Sequence, residues 1–250
     1  MSTLRRLSRV AMIPLAPALL VQATRLRRDT PRLPDAATPW VGVHPGPDPL
    51  RLLVLGDSTA AGVGADTQLE ALPGNLAREL AGRTGRGVEW RAVGENGATT
   101  RDLLERFLPA ATDQAYDIVF LSIGANDALG LRSRGAFRRD VRRLIDAVRA
   151  GSPGGIILMS ALPAFGRFEL LPNPLRSTLY LHSRNLEDAA RAVVAAQEGA
   201  HMSPPPPPYT PGFFASDLFH PSASGYRDWS VFAIDDAVAA GVLDTVALGA

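Results

Sequence analysis

The chain contains no cysteine. That excludes a disulfide framework, a thiolate nucleophile and a thiolate metal site. It does not decide compartment. Lysine is absent too, so all 26 basic residues are arginine. A phosphate-cradling P-loop needs a lysine, and that class falls away. No long apolar run is present. Val10 to Val21 is apolar but carries Pro14 and Pro17, and it is shorter than the roughly 20 residues that span a bilayer.

What is there is unevenly charged. The formal net charge is +1, but seven arginines (Arg5, Arg6, Arg9, Arg25, Arg27, Arg28, Arg32) precede residue 33, against one acid, Asp29. Beyond residue 32, 19 arginines face 24 acids. A mildly acidic body argues against nucleic acid as a partner. A basic start bracketing an apolar segment suits an anionic membrane surface. Residues 1–30 therefore read as a basic, apolar segment that lies on a membrane, packs on the domain, or serves as an export signal. Arginines at 25, 27 and 28 disfavour export. A cytoplasmic or membrane-associated location is favoured over secretion. Residues 31–50 are rich in proline and read as a linker, with the main domain over 51–250.

Within that domain, short apolar runs recur: Leu52–Leu55, Val88–Val93, Ile118–Ile123, Ile156–Ser160 and, more weakly, Ala200–Ser203. Between them lie helical patterns. Phe137, Val141, Leu144, Ile145 and Val148 fall on one face at period 3.6, as do Leu179, Leu186, Ala190 and Val193. Trp229, Phe232 and Ala233 begin a last helix. Strands alternating with helices imply parallel pairing through crossover helices. Continuously apolar strands imply burial on both faces. The expected fold is α/β, a three-layer α/β/α sandwich on a parallel sheet of about five strands. In such sheets ligands bind beyond the C-terminal strand ends.

Four short motifs sit where that rule directs attention. Gly56-Asp57-Ser58-Thr59 follows the first run, where a sharp strand-to-helix turn would lift a serine hydroxyl off the sheet; an N-cap serine is the plainer reading. Gly94-Glu95-Asn96-Gly97 follows the second, and a glycine there can offer its backbone N–H. Gly124-Ala125-Asn126-Asp127 follows the third. Asn126 could donate to a developing oxyanion or close an Asx-turn, and Asp127 reads as a helix cap. Asp217-Leu218-Phe219-His220 sets a carboxylate and an imidazole three residues apart, facing the same way in a helical turn.

Taken together in this order, the four motifs resemble those of the SGNH (GDSL-like) hydrolases, and the resemblance runs from about Arg51 to the end. It implies a flavodoxin-like sandwich with Ser58 as nucleophile, His220 as general base and Asp217 as its orienter. It also implies an oxyanion hole from the backbone N–H groups of Ser58 and Gly97 and the side chain of Asn126. No cofactor is needed. The serine block reads Gly-Asp-Ser-Thr rather than Gly-Asp-Ser-Leu. A mid-chain Gly-x-Ser-x-Gly is missing, which argues against an α/β-hydrolase. His44, His182 and His201 show no metal-ligand spacing, and His182 reads as a half-buried helix residue.

The expected reaction is hydrolysis of a small or lipid-like carboxylic ester. Leu162, Pro163 and Phe165 after the fourth run, with Phe213 and Phe214, are candidates for an acyl pocket, or for ordinary packing. Pro204 to Pro208 should form a stiff polyproline loop leading toward the Asp–His turn. Carbohydrate deacetylase, lysophospholipase and thioesterase remain open on the same scaffold. A non-catalytic membrane-associated binding module is the alternative outside enzymes. Oligomeric state is not legible.

Overall fold

The computed structural model describes residues 13–247. Residues 10–12 of the apolar run, and Arg5, Arg6 and Arg9, lie outside the described residues.

Six strands form one sheet: β1 (Val41–His44), β2 (Leu50–Gly56), β3 (Val88–Gly94), β4 (Ile118–Ser122), β5 (Ile156–Met159) and β6 (Ala200–Met202), in the order β1-β3-β2-β4-β5-β6. All pairings are parallel except that of β1, which runs antiparallel to β3 at the edge. The five expected runs are the parallel strands. The sixth comes from the proline-rich stretch. There the linker expectation fails: Ala36 donates to Ala61 O at 2.9 Å, and Ala37 to Asp66 O at 2.9 Å. Segment 36–44 is thus sewn onto the domain.

Side chains alternate faces along each strand, and the two faces build two cores. Leu53, Leu55, Val119, Leu121 and Ile157 share one core with Phe137, Leu144, Leu186 and Val193. The last four lie on α4 (Arg134–Gly151) and α5 (Leu175–Val194). Leu52, Val54, Phe120 and Leu158 share the other with Leu76, Leu80, Tyr226 and Ile234. These come from α2 (Leu72–Thr84) and α6 (Ala223–Ala239). Every residue of β4 is buried, as a strand covered on both faces must be. A short helix, α3 (Ala125–Leu129), follows β4 directly.

The helix α1 (Ala16–Asp29) carries Leu19, Ala23 and Leu26 against the first core. Gln22 Nε2 donates to Asn173 O at 2.6 Å, and its Oε1 accepts from Leu175 N at 3.0 Å. The segment therefore packs on the domain through one face. No helix among the described residues is long and apolar enough to cross a membrane.

Candidate active site

The site is built from four chain segments at the C-terminal edge of the sheet. β2 ends in Gly56, and the chain turns sharply. Asp57 N donates to Ser122 O at 3.2 Å, and Ser58 O accepts from Val63 N at 2.9 Å. Asp57 Oδ1 accepts from both the N–H and the hydroxyl of Thr59, each at 3.1 Å. Ser58 sits in this turn at the wall of a cavity. Its neighbour Asp57 is buried, and loss of solvation pushes the Asp57 carboxyl up to about 6 despite the bonds from Thr59.

The blocks after β3 and β4 meet beside Asp57. Asn126 Nδ2 donates to Ala98 O at 3.0 Å and lies 3.4 Å from Asp57 Oδ2. That brings Asn126, the Gly97-Ala98 turn and the serine turn together. Gly97 takes φ +88°, and a Cβ there would meet nothing within 4 Å, so its backbone is open on that side. Asp127 is not the cap of its own helix. Its Oδ2 instead accepts from the N–H and the hydroxyl of Thr100, both at 2.9 Å, which locks the second block to the third. Asn126 likewise turns its amide N–H groups toward other segments, Ala98 and Asp57.

The fourth block supplies the histidine. Asp217 Oδ2 lies 2.5 Å from His220 Nδ1. Asp217 Oδ1 accepts from the N–H groups of Phe219 and His220, both at 2.9 Å. This double acceptance bends the chain so tightly that Leu218 takes φ +56°, a conformation rarely adopted by a leucine. Burial alone would push the Asp217 carboxyl up. The bonds from His220 and the two N–H groups outweigh it and hold the carboxyl below its ordinary value. Nδ1 is thereby committed to the carboxylate, and Nε2 is the nitrogen left for a substrate or a hydroxyl.

Two further contacts tie the serine turn to the histidine turn. Gly64 takes φ +98°, and a Cβ there would fall 2.2 Å from Pro221 O. Tyr226 Oη donates to Val63 O at 2.7 Å. Neither was visible in the sequence, because Gly64 is far from Pro221 along the chain, as Val63 is from Tyr226.

Ser58 and His220 line one cavity, together with Leu162, Pro163, Phe213 and Phe214. Phe165 does not line it. That side chain is fully buried, with its ring tilted against Phe168 at 5.3 Å and stacked on Phe219 at 6.3 Å. Phe165 opens a 3-10 turn (Phe165–Arg167) that points it into the core and leaves Phe168 to form the wall. Gly97 and Asn126 are not among the residues that line this cavity, though Ala125, next to Asn126, is. Sequence reasoning missed Phe168, Tyr209, Phe219, Trp229 and Phe232, which also line the space. His182 is fully buried in α5 rather than half-buried. His201 lies elsewhere, with Nε2 2.6 Å from Asp236 Oδ2. No group of three or more metal-binding side chains occurs among the described residues.

A parallel sandwich that opens a serine and a carboxylate-held histidine into one apolar cavity has the layout of a hydrolase. Comparison with known proteins agrees. The chain belongs to the GDSL-like lipase/acylhydrolase family, whose family model matches residues 54–227, and it is a carboxylic ester hydrolase. It is 30% identical to a GDSL-like esterase of Mycobacterium tuberculosis over 229 residues, covering 83% of this chain and 72% of that protein. Its fold is similar to that of a family 3 carbohydrate esterase from Clostridium thermocellum. There the TM-score is 0.61 at 16% identity, over 80% of this chain and 100% of the other. It is also similar to an extracellular lipase from Streptomyces rimosus, with a TM-score of 0.57 at 18% identity over 75% and 99%.

Proposed function

We propose that the chain cleaves esters of short to medium apolar acyl groups through an acyl-enzyme on Ser58. Ser58 Oγ attacks the ester carbonyl while His220 Nε2 takes its proton. The tetrahedral oxyanion is held by the N–H groups of Ser58 and Gly97 and by Asn126. Collapse breaks the bond to the alcohol oxygen, and His220 returns its proton to the leaving alcohol. Water then attacks the acyl-enzyme by the same route, which frees the acid and Ser58. No cofactor enters the scheme.

The observation that carries this reading is the Asp217–His220 pair, closed at 2.5 Å and opening onto the same cavity as Ser58. A surface Asp–His pair would share no cavity with a serine. Asn126 supports the oxyanion role in a specific way. Its contact with Ala98 O is firm at 3.0 Å, whereas that with Asp57 Oδ2 is long at 3.4 Å. The second N–H is the one a stronger, charged acceptor would capture.

The substrate class follows from the walls. Seven of the chain's sixteen aromatic residues line this cavity. Such a lining favours an apolar acyl group, or a lipid-like ester, over a sugar-borne acetate. The test is hydrolysis of a chromogenic butyrate ester by the wild type and by Ser58→Ala. Turnover should vanish in a folded Ser58→Ala protein, and a serine-directed phosphonate should label Ser58 alone. Retained turnover would overturn the assignment.

A further inference from the structure

The run Pro204–Pro208 takes no part in the chemistry described above, yet it stands in the site. Pro204, Pro206, Pro207 and Pro208 form one wall of the cavity that holds Ser58. Proline has no backbone N–H, so such a run cannot be fixed by a strand ladder. Only its carbonyls can be held from outside. In this chain two arginines hold the segment.

The first is Arg191 on α5. Its Nη1 donates to Met202 O at 3.2 Å and its Nη2 to Ser203 O at 2.6 Å. Arg191 is itself fixed by the buried carboxylate of Glu187, with Nε at 3.0 Å and Nη2 at 2.8 Å from Oε1. That fastens the start of the run. The second is Arg167. Its Nη1 donates to Pro206 O at 2.6 Å and to Pro207 O at 2.9 Å. Arg167 is followed directly by Phe168, whose ring lines the cavity and packs at 5.0 Å on Phe214. One short piece of chain therefore supplies an aromatic wall from Phe168 and grips the proline wall through Arg167. The guanidinium sets how far apart the two walls stand.

We propose that Arg167 is a specificity-determining residue that fixes the width of the acyl pocket by clamping Pro206 and Pro207. This rests on the ester-hydrolase reading of the site. With the walls held, each added acyl methylene meets apolar surface on two sides. Burial of one methylene is worth up to about fourfold in kcat/KM. With the clamp removed, the proline wall is free to withdraw and that gain shrinks. Acetate, with the shortest acyl group of the series, serves as the internal reference.

The experiment is a p-nitrophenyl series from acetate through butyrate to hexanoate. The wild type should show kcat/KM rising with chain length. Arg167→Ala should lower the hexanoate-to-acetate ratio by about fivefold or more, and Arg167→Lys, which keeps a donor and a charge, should fall between. Arg167 is exposed, so the variant should melt close to wild type. A second variant, Pro206→Gly with Pro207→Gly, loosens the same wall from its own side and should lower the ratio likewise. A ratio within twofold of wild type in either folded variant would overturn the proposal. A wild type inactive on every ester of the series would instead overturn the functional reading, and the proposal with it. A general loss of activity that leaves the ratio intact would show a merely structural role for Arg167.

Discussion

Gly64 lies so close to Pro221 that a Cβ on the glycine would fall 2.2 Å from the Pro221 carbonyl oxygen. This contact couples the turn that carries Ser58 to the turn that carries His220. Gly64→Ala faces two penalties: φ +98° is strained for any side chain, and the clashing atom is backbone, which cannot rotate away. The variant should lose about 1–3 kcal/mol of stability, and kcat should fall more than KM rises, because the two turns are forced apart. Gly82→Ala is the control. It lies inside α2 with nothing within 4 Å of the added Cβ, and it should be neutral or gain about 0.5–1 kcal/mol. Thermal melts and steady-state kinetics on both variants check this.

Asp217 has two jobs on two oxygens, and Asp217→Asn separates them. Oδ1 holds the turn through the N–H groups of Phe219 and His220, and an asparagine oxygen can still do so. Oδ2 holds His220 Nδ1, and an amide NH₂ there would impose the wrong tautomer. Turnover should fall by on the order of 10⁴ with little change in melting temperature. Asp217→Ala removes both jobs and should also destabilise the turn around Leu218. Equal melting losses in the two variants would show that the Oδ1 bonds do not by themselves hold the turn.

The strand-end logic pointed to Ser58, Gly97 and Asn126 because each follows a continuously apolar strand by a few residues, a relation local in sequence. The Asp217–His220 pair was legible for the same reason. Contacts between distant segments were not. Asp127 reads as a cap, since an acid early in a helix usually is one, but its partner Thr100 is 27 residues away. Phe165 and Phe168 are equally apolar, and only the 3-10 turn decides which one faces the cavity. β1 escaped notice because Val41-Gly42-Val43-His44 is a short edge strand whose residues are exposed or only partly buried. Its apolar content carries no signal of burial, and the surrounding prolines point to a loop. The helix α2 follows Ala71, which has no side chain to cap it, and has no acid in its first turn, so Pro73 alone marks its start.

Asn126→Ala tests the oxyanion assignment. Loss of one preorganised donor should lower kcat by on the order of 10²–10³ with little change in KM. A change confined to KM or to melting temperature would instead mark Asn126 as the brace between Ala98 and Asp57.

Asp57 gives the fold a pH dependence whose sign is set by its raised pKa. Burial lifts the carboxyl from 3.8 to about 6. Between these values the folded chain holds more proton on Asp57 than the unfolded chain does, so raising the pH through this window weakens the fold. The full penalty, on the order of 3 kcal/mol, is in place above about pH 6. Asp57→Asn removes it. The melting temperature of the variant minus that of wild type should therefore climb from pH 4 to pH 6.5 and then level off. A flat difference across that range would mean that Asp57 is ionised at no cost, with water reaching it. The opposite slope belongs to groups such as Asp217, whose lowered pKa stabilises the fold at higher pH and is lost in acid. Those groups are common to both proteins and cancel in the difference.

The outward face of α1 leads to a prediction about membranes. Its inner face is used against the core, yet Leu20 and Val21 are 68% and 50% exposed, as is Ile13 in the turn just before the helix, at 69%. Arg25, Arg27 and Arg28 follow on the exposed surface, with Arg28 partly offset by its contact with Asp29 at 2.8 Å. Apolar side chains beside arginines on one helix suit the boundary of an anionic bilayer. We propose that this helix docks the enzyme on such a surface. The chain should bind phosphatidylglycerol-containing vesicles more tightly than pure phosphatidylcholine, and rising salt should weaken that binding. Leu20→Asp with Val21→Asp should reduce vesicle binding at least tenfold while turnover of a soluble ester stays as in wild type, since neither residue lines the cavity. The substitutions keep Leu19, Ala23 and Leu26 in place, which deletion of the helix would not. Removing residues 1–32 would strip the Gln22 bonds to Asn173 and Leu175, so reduced stability is expected of that truncation whatever the membrane does. Unchanged vesicle binding in the double variant would leave α1 with packing as its sole role.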